Sequence, residues 1–259
     1  VVVPLGQVVA VSLLLYMAGL IMNDLADIGL DAQERPDRPL PSGLLDEGLA
    51  RLAMVSFLAL ALLLARYIGW PTVVVALALL VTITLYNQFF KRTILGPLFM
   101  GVCRGLNVWL GVSLVPDRTD LLYLAAAGIA FYTMAVTLIA RDEMSGRRLG
   151  FRALLPLLVV VMLVHQLLTG TTLDGAYVYR LGVILFLAFS LTGLAAWRLW
   201  NAGPRTAAPF VGLLISALMF LQAACCLAAD AGPLSLVMAL ALLLAWPLNR
   251  LLARAFAAS

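Results

Sequence analysis

Charge is scarce in this 259-residue chain: Asp, Glu, Lys and Arg make up 12% of it, against about 25% in soluble domains. With 64% hydrophobic residues and a mean hydropathy of +1.06, that scarcity excludes a soluble globular domain. Cysteine is sparse too. Cys103, Cys225 and Cys226 all stand in apolar stretches, and their spacing fits neither a disulfide framework nor a thiolate metal site. The lone histidine, His165, falls in the middle of an apolar run, where an interhelical hydrogen bond is the expected role rather than metal ligation. No cleavable signal is visible, because the first apolar run is too long and has no basic start. That run also begins without Met, so the chain is expected to be cut at its N-terminus.

Apolar length is what the chain has in abundance. Runs of 18 or more apolar residues are the mark of a transmembrane helix, and nine spans are predicted at roughly 1–24, 46–66, 70–88, 95–115, 121–140, 153–170, 178–198, 207–229 and 234–249. The connections are short. The predicted fold is therefore all-α, one multi-pass transmembrane helical bundle over residues 1–259 with no soluble domain. Thirteen of the 17 Lys and Arg residues fall on one side of this topology, and Arg66, Arg118 and Arg180 on the other. Arg104 is inside a span. The crowded side is cytoplasmic by the positive-inside bias. The same bias accounts for the net charge of +4, so no nucleic-acid partner is implied.

The scarce charges are concentrated. Residues 23–43 read NDLADIGLDAQERPDRPLPSG. If the first helix continues through Asp31, then Asp24, Asp27 and Asp31 fall on one stripe, with Asn23 one turn from Asp27. Three carboxylates on one face repel unless a cation sits among them. Hard oxygen ligands without His or Cys point to Mg²⁺ rather than zinc. Pro36, Pro39 and Pro41 end the helix and are expected to hold the following segment extended. Arg35 and Arg38 then lie beside the acids, either pairing with Glu34 and Asp37 or binding phosphate oxygens in bidentate fashion.

Two further polar loops follow odd-numbered spans. LYNQFFKRTILGP, residues 85–97, carries Tyr86, Lys91 and Arg92, and ARDEMSGRRLG, residues 140–150, carries Arg141, Asp142 and Glu143. Acidic clusters thus close the first and fifth helices, as two similar four-helix halves facing one cavity would require. Within a span, Arg104 and Asn107 stand one turn apart. A charge there is costly and usually faces a cavity or a partner.

NDLADIGLD resembles the NDxxDxxxD motif of the UbiA superfamily of intramembrane prenyltransferases, and RPDRPLPSG resembles the arginine-proline segment that follows it. YNQFFK is similar to the superfamily's Tyr-Lys loop motif, and ARDEMSG occupies the place of its second aspartate motif. KRTILGPLFMGVCRGLN and ARDE look most like the EboC-like branch. The resemblance implies Mg²⁺-dependent transfer of a prenyl group from an isoprenyl diphosphate to an acceptor, aromatic or lipid-like, that the residues do not identify. It implies Asn23, Asp24, Asp27, Asp31, Asp142 and Glu143 as metal ligands, Arg35, Arg38, Lys91 and Tyr86 as diphosphate-binding residues, and Lys91, Arg104 and Arg141 as catalytic residues. It also implies a bilayer-embedded site opening to the cytoplasm of a prokaryotic cell.

The chain departs from the family in two places. In the second motif, DxxxD, Asp142 is present, but Leu138 and Gly146 stand four residues before and after it. Glu143 can substitute only if the helix end at 141–146 is unwound. The family's first helix is also expected to be missing, because only 22 residues precede Asn23. These departures motivate a rival reading, a non-catalytic isoprenoid- or diphosphate-binding membrane protein. Phe89, Phe90, Trp109 and Tyr132 are candidates for cation–π contact with a carbocation, although ordinary packing is the expected role of each.

Overall fold

The computed structural model describes residues 2–115, 120–144, 149–170, 175–201, 208–229 and 232–257, without the side chains of 2, 3, 143, 144, 208 and 248–257. Arg118, Ser145, Gly146, Arg147, Arg148 and Arg205 lie outside the described residues, as do the side chains of Glu143, Arg250 and Arg254. Within the described residues there are nine α-helices: α1 Val2–Glu34, α2 Glu47–Ile68, α3 Trp70–Leu85, α4 Gly96–Val112, α5 Asp120–Met144, α6 Leu155–Thr169, α7 Gly175–Asn201, α8 Ala208–Ala229 and α9 Pro233–Ala257. Seven helical stretches are long and apolar enough to cross a membrane; α4 is shorter. This is an all-helical integral membrane bundle.

The helices begin and end where local chemistry directs. Asp46 caps α2, its carboxylate accepting from the Leu49 N–H at 2.9 Å, a contact worth about 1 kcal/mol in a typical helix. Gly69, at φ 155°, turns the chain from α2 into α3, with Pro71 in the first turn beyond it. Pro97 and Pro156 likewise open α4 and α6, where a missing N–H costs nothing.

The chain divides into two compact units, Val1–Arg118 and Thr119–Ser259. In the first, α1–α4 close around Val11, Leu15, Ala61, Ala65, Ala76 and Leu110, none more than 1% exposed. Alanines at these crossings let the backbones approach closely, as membrane helices require in place of a hydrophobic driving force. Large apolar side chains such as Leu13, Leu52, Leu63 and Trp70 point outward, the pattern of a bundle that meets lipid. In the second unit, α5, α6, α7 and α8 pack around Ile129, Leu163, Leu181, Leu185 and Leu214. A Cβ placed at Gly128 would lie 2.2 Å from Leu163 Cδ2, so α5 and α6 depend on that glycine for their approach.

Three expectations need correction. The proline segment after α1 is not extended: residues 36–43 form successive turns, with Arg38 N–H donating to the Arg35 carbonyl (3.1 Å) and Ser42 N–H to the Arg38 carbonyl (2.9 Å). Proline's fixed φ suits the second position of a turn as well as an extended strand, and the acids at the end of α1 attract Arg38 back toward the helix. His165 is exposed on α6 and makes no side-chain hydrogen bond among the described residues, because it lies on the outer face rather than at a helix crossing. The first helix outruns the span expected at 1–24 and continues to Glu34, which makes the acidic stripe helical.

Candidate active site

The first unit gathers its charges where α1 ends. Because α1 stays regular to Glu34, Asp27 and Asp31 share one side of the helix, and both carboxylates are largely buried, with side chains 12% and 10% exposed. Asp24 is half exposed. A buried carboxylate needs a partner, and each has one. Lys91 Nζ is bound to Asp27 Oδ2 and also donates to Asn23 Oδ1 at 2.6 Å. Arg92 Nη2 donates to Asp27 Oδ1 at 3.1 Å. Arg38 Nη1 donates to Asp31 Oδ2 at 2.7 Å and lies 3.7 Å from Asp24 Oδ1.

Lys91 reaches α1 because of how α3 ends. Tyr86–Phe90 form a π turn, closed by the Lys91 N–H donating to the Tyr86 carbonyl five residues back at 2.8 Å. π turns are uncommon and recur at functional sites. The turn is braced on its far side, where Phe90 stacks on Phe99 of α4 with centroids 4.2 Å apart and planes 8° from parallel. The start of α4 comes so close that a Cβ at Gly96 would lie 2.9 Å from the Lys91 carbonyl oxygen and 3.0 Å from that of Phe90. Tyr86 gives its carbonyl to the turn, and its phenol, which makes no hydrogen bond among the described residues, lies within electrostatic reach of Asp27.

The other candidates fall elsewhere. Arg35 is exposed, and neither Arg35 nor Arg38 pairs with Glu34 or Asp37 among the described residues. Arg104 is exposed near the middle of α4, close to the one polar link between α1 and α4 that involves Asn107. Phe89 is 66% exposed. Tyr132, in the second unit, is fully buried and donates to the Leu214 carbonyl at 2.9 Å, which is the packing role expected of it.

The second unit repeats the acid–arginine arrangement of the first. Asp142, 8% exposed at the side chain, accepts from Arg152 Nη1 at 2.6 Å. Arg152 comes from a 3₁₀ helix, Gly150–Leu154, that Gly150 at φ +48° allows to start. Arg141 lies in the last turn of α5. That helix is regular through Met144, so the unwound end that Glu143 would need as a ligand does not begin before residue 145.

Arg92 and Arg152 were not singled out from the sequence as site residues. Both were absorbed into the positive-inside count, which explains a basic residue at a cytoplasmic helix end without asking what it touches. The available signal was their position, each in the loop after an acidic or polar motif.

The donor set fits Mg²⁺. Among the described residues no three His, Cys, Asp or Glu side chains are close enough to cage a metal ion, but Mg²⁺ characteristically takes one or two carboxylates and fills its shell with water and phosphate. Asn23 Oδ1 and Asp27 Oδ2 already converge on a single cation, the Lys91 ammonium. The oxygens are hard, adjacent and aimed at one point.

Comparison with known proteins agrees with this geometry. The UbiA prenyltransferase family matches residues 2–210. A digeranylgeranylglyceryl phosphate synthase of Methanothermobacter thermautotrophicus is 27% identical over 216 residues, covering 76% of this chain and 75% of the relative. A 4-hydroxybenzoate octaprenyltransferase of Providencia stuartii is 27% identical over 197 residues, covering 70% and 66%. A digeranylgeranylglyceryl phosphate synthase of Methanosarcina barkeri is 33% identical over 114 residues, and there the chain spans only 39% of the relative's length. No solved structure matches the chain with significance. The family match takes in α1 with its acidic stripe, the π turn and the Asp142 helix alike; the chain belongs to the UbiA prenyltransferase family and is a prenyltransferase.

Proposed function

We propose that the chain transfers a prenyl group from an isoprenyl diphosphate to an acceptor inside the membrane, with Mg²⁺ as cofactor. The observation that carries this reading is Lys91 held on Asn23 and Asp27: two oxygen donors and a cation meet at one point, at the end of a long apolar helix. Asn23 and Asp27 would hold the metal directly, with Asp24 and Asp31 reaching its shell through water, and Mg²⁺ when bound would supply Lewis-acid stabilisation to the departing diphosphate.

In this reading the chain's own residues bind, orient and exclude water. The three aspartates are matched by Lys91, Arg92 and Arg38. These same cations would also meet the diphosphate oxygens of the donor. Arg38 suits that role because its guanidinium can bind phosphate in bidentate fashion, and exposed Arg35 can join it. As the allylic C–O bond breaks, its electron pair passes to the diphosphate. The positive charge of Lys91 and Arg38 then stabilises the anion where it develops. The apolar bundle shields the carbocation from water. The acceptor's electron pair forms the new bond, and the acceptor gives up a proton. In the second unit, Asp142 with Arg152 and Arg141 is the proposed counterpart, with Asp142 as its metal ligand.

The names of the relatives, one a 4-hydroxybenzoate octaprenyltransferase and one a digeranylgeranylglyceryl phosphate synthase, support an acceptor of aromatic or lipid-like kind. The Lys and Arg bias supports a site opening to the cytoplasm, and the organisms of the relatives support a prokaryotic cell. The test is release of diphosphate from geranylgeranyl diphosphate by the purified protein in lipid nanodiscs, with and without Mg²⁺. Release that requires both the metal and Asp27 supports the reading. Tight binding of the donor without release under any acceptor would favour a non-catalytic binding protein.

A further inference from the structure

The 3₁₀ helix that carries Arg152 is held by a different helix from the one its arginine serves. Gly150–Leu154 packs chiefly against α7, whereas Asp142, the acid that Arg152 binds, belongs to α5. Few backbone bonds define so short an element. Arg152 N–H donates to the Leu149 carbonyl at 3.1 Å, and Leu155 N–H to the Arg152 carbonyl. Hydrogen-bond geometry in 3₁₀ helices is poor, so side-chain contacts must fix the direction of this one.

Three consecutive side chains do so. A 3₁₀ helix has three residues per turn, so Phe151, Arg152 and Ala153 point about 120° apart. Ala153 is fully buried. Phe151 meets Trp200, in the last turn of α7, edge to face, with centroids 5.0 Å apart and planes 85° from parallel. Arg152 takes the third direction and reaches Asp142 Oδ2 at 2.6 Å. Rotation of the segment about its axis would carry the guanidinium off the carboxylate. Phe151 and Ala153 oppose that rotation.

Of the two, only Phe151 has reach. Its ring contact with Trp200 is the one it makes among the described residues, and edge-to-face pairs are attractive beyond the area they bury. Phe151 is 80% exposed and Trp200 43%, so the pair adds little to the core, and its effect falls on the direction of the segment. The first unit is built alike, where Phe90 stacked on Phe99 braces the turn that ends at Lys91.

We propose that Trp200 is a positioning residue: through Phe151 it sets the direction of Arg152, and through Arg152 the orientation of Asp142 as a ligand. A carboxylate that ligates metal depends on the group that orients it, and loss of such a group costs about ten- to a hundredfold in metal affinity. The step from Asp142 to metal rests on the reading of Asp142 as a ligand given above; the placement of Arg152 does not.

Hydrogen exchange on the full chain in nanodiscs, without metal or donor, judges the placement of Arg152 apart from the transferase reading. Amides of residues 149–155 should exchange about threefold faster or more in Trp200→Ala and near the wild-type rate in Trp200→Phe, which keeps an aromatic ring. Trp197→Ala, which removes an exposed ring three residues earlier on α7, should change nothing. Unchanged exchange in Trp200→Ala overturns the proposal, whatever the activity.

The step to Asp142 is read as the Mg²⁺ concentration for half-maximal diphosphate release. Trp200→Ala should raise it about threefold to tenfold and Arg152→Gln about tenfold or more. The double variant should need no more Mg²⁺ than Arg152→Gln alone, because residues acting in series are not additive. At saturating Mg²⁺ the KM for the donor should stay near wild type. Additive effects, or a Mg²⁺ requirement unmoved by Trp200→Ala despite faster exchange, overturn the positioning role. Should Trp200→Ala fail to fold, Phe151→Ala removes the same contact from its exposed side and carries the same expectations. A wild type that releases no diphosphate sinks the transferase reading; Mn²⁺ binding followed by electron spin resonance then replaces release as the readout, with the same order of variants expected and the same results overturning the proposal.

Discussion

Arg38 reaches back over Pro36 to bond Asp31, seven residues earlier, at 2.7 Å, and in the second unit Arg152 reaches back ten residues to Asp142 at 2.6 Å. Each unit therefore closes its acidic helix with an arginine from the segment that follows. The likeness lies in local chemistry rather than sequence, since RPDRPLPSG and SGRRLGFR share little beyond arginine and glycine. A carboxylate at the buried end of a membrane helix needs a cation, and the next loop is the nearest part of the chain that can supply one.

Asp27 is bound by both Lys91 and Arg92. Asp27→Asn keeps the volume and removes the charge. Diphosphate release should fall by at least a hundredfold, while circular dichroism shows an intact helical bundle. An active variant would move the metal site away from α1.

Arg38→Lys should act on the donor rather than on the fold. Asp31 is only 10% exposed and needs a cation, which lysine still supplies, so Tm should shift little. The KM for the isoprenyl diphosphate should rise about tenfold as a phosphate contact is lost. A large drop in Tm with unchanged KM would make Arg38 structural.

Gly96 tests whether the π turn sets the position of Lys91. Gly96→Ala puts a Cβ against the carbonyls of Lys91 and Phe90, and backbone cannot swing aside as a side chain can. The expected outcome is a loss of kcat of tenfold or more with modest loss of stability. Gly111→Ala, on the same helix with nothing within 4 Å of the new Cβ, should leave kcat unchanged.

The half-present second motif gives a paired measurement. Because α5 is regular through Met144, successive side chains diverge by about 100°, and Asp142 is the acid expected to act. Asp142→Asn should raise the Mg²⁺ concentration for half-maximal diphosphate release several-fold, and Glu143→Gln should leave it unchanged. The reverse pattern would return Glu143 to the ligand set.

Much of this was legible in the sequence. The nine apolar runs match nine helices among the described residues, seven of them long and apolar enough to cross a membrane, because hydropathy over 18 or more residues is a strong signal when no water competes for backbone hydrogen bonds. The NDLADIGLD spacing places Asp24, Asp27 and Asp31 on one stripe with Asn23 one turn from Asp27, and α1 continues far enough to make that stripe helical. What the sequence obscured was pairing. Lys91 on Asn23 and Asp27 spans more than 60 residues, and no local pattern encodes it. The three prolines read equally well as an extended segment or as a chain of turns; Arg38's attraction to Asp31 selects the turns. His165 was misjudged because composition cannot tell an outer face from a helix crossing.

The most direct measurement is a single-turnover experiment with geranylgeranyl diphosphate labelled with tritium at C1, using the wild-type protein and Lys91→Ala in nanodiscs. Diphosphate release should require Mg²⁺ in the wild type and should slow at least a hundredfold in Lys91→Ala, with the labelled prenyl group recovered on an added acceptor or, without one, as the prenyl alcohol formed with water. Release at the wild-type rate by Lys91→Ala, or release by the wild type undiminished by EDTA, would contradict the assignment of prenyl transfer to the cluster of Asn23, Asp27 and Lys91.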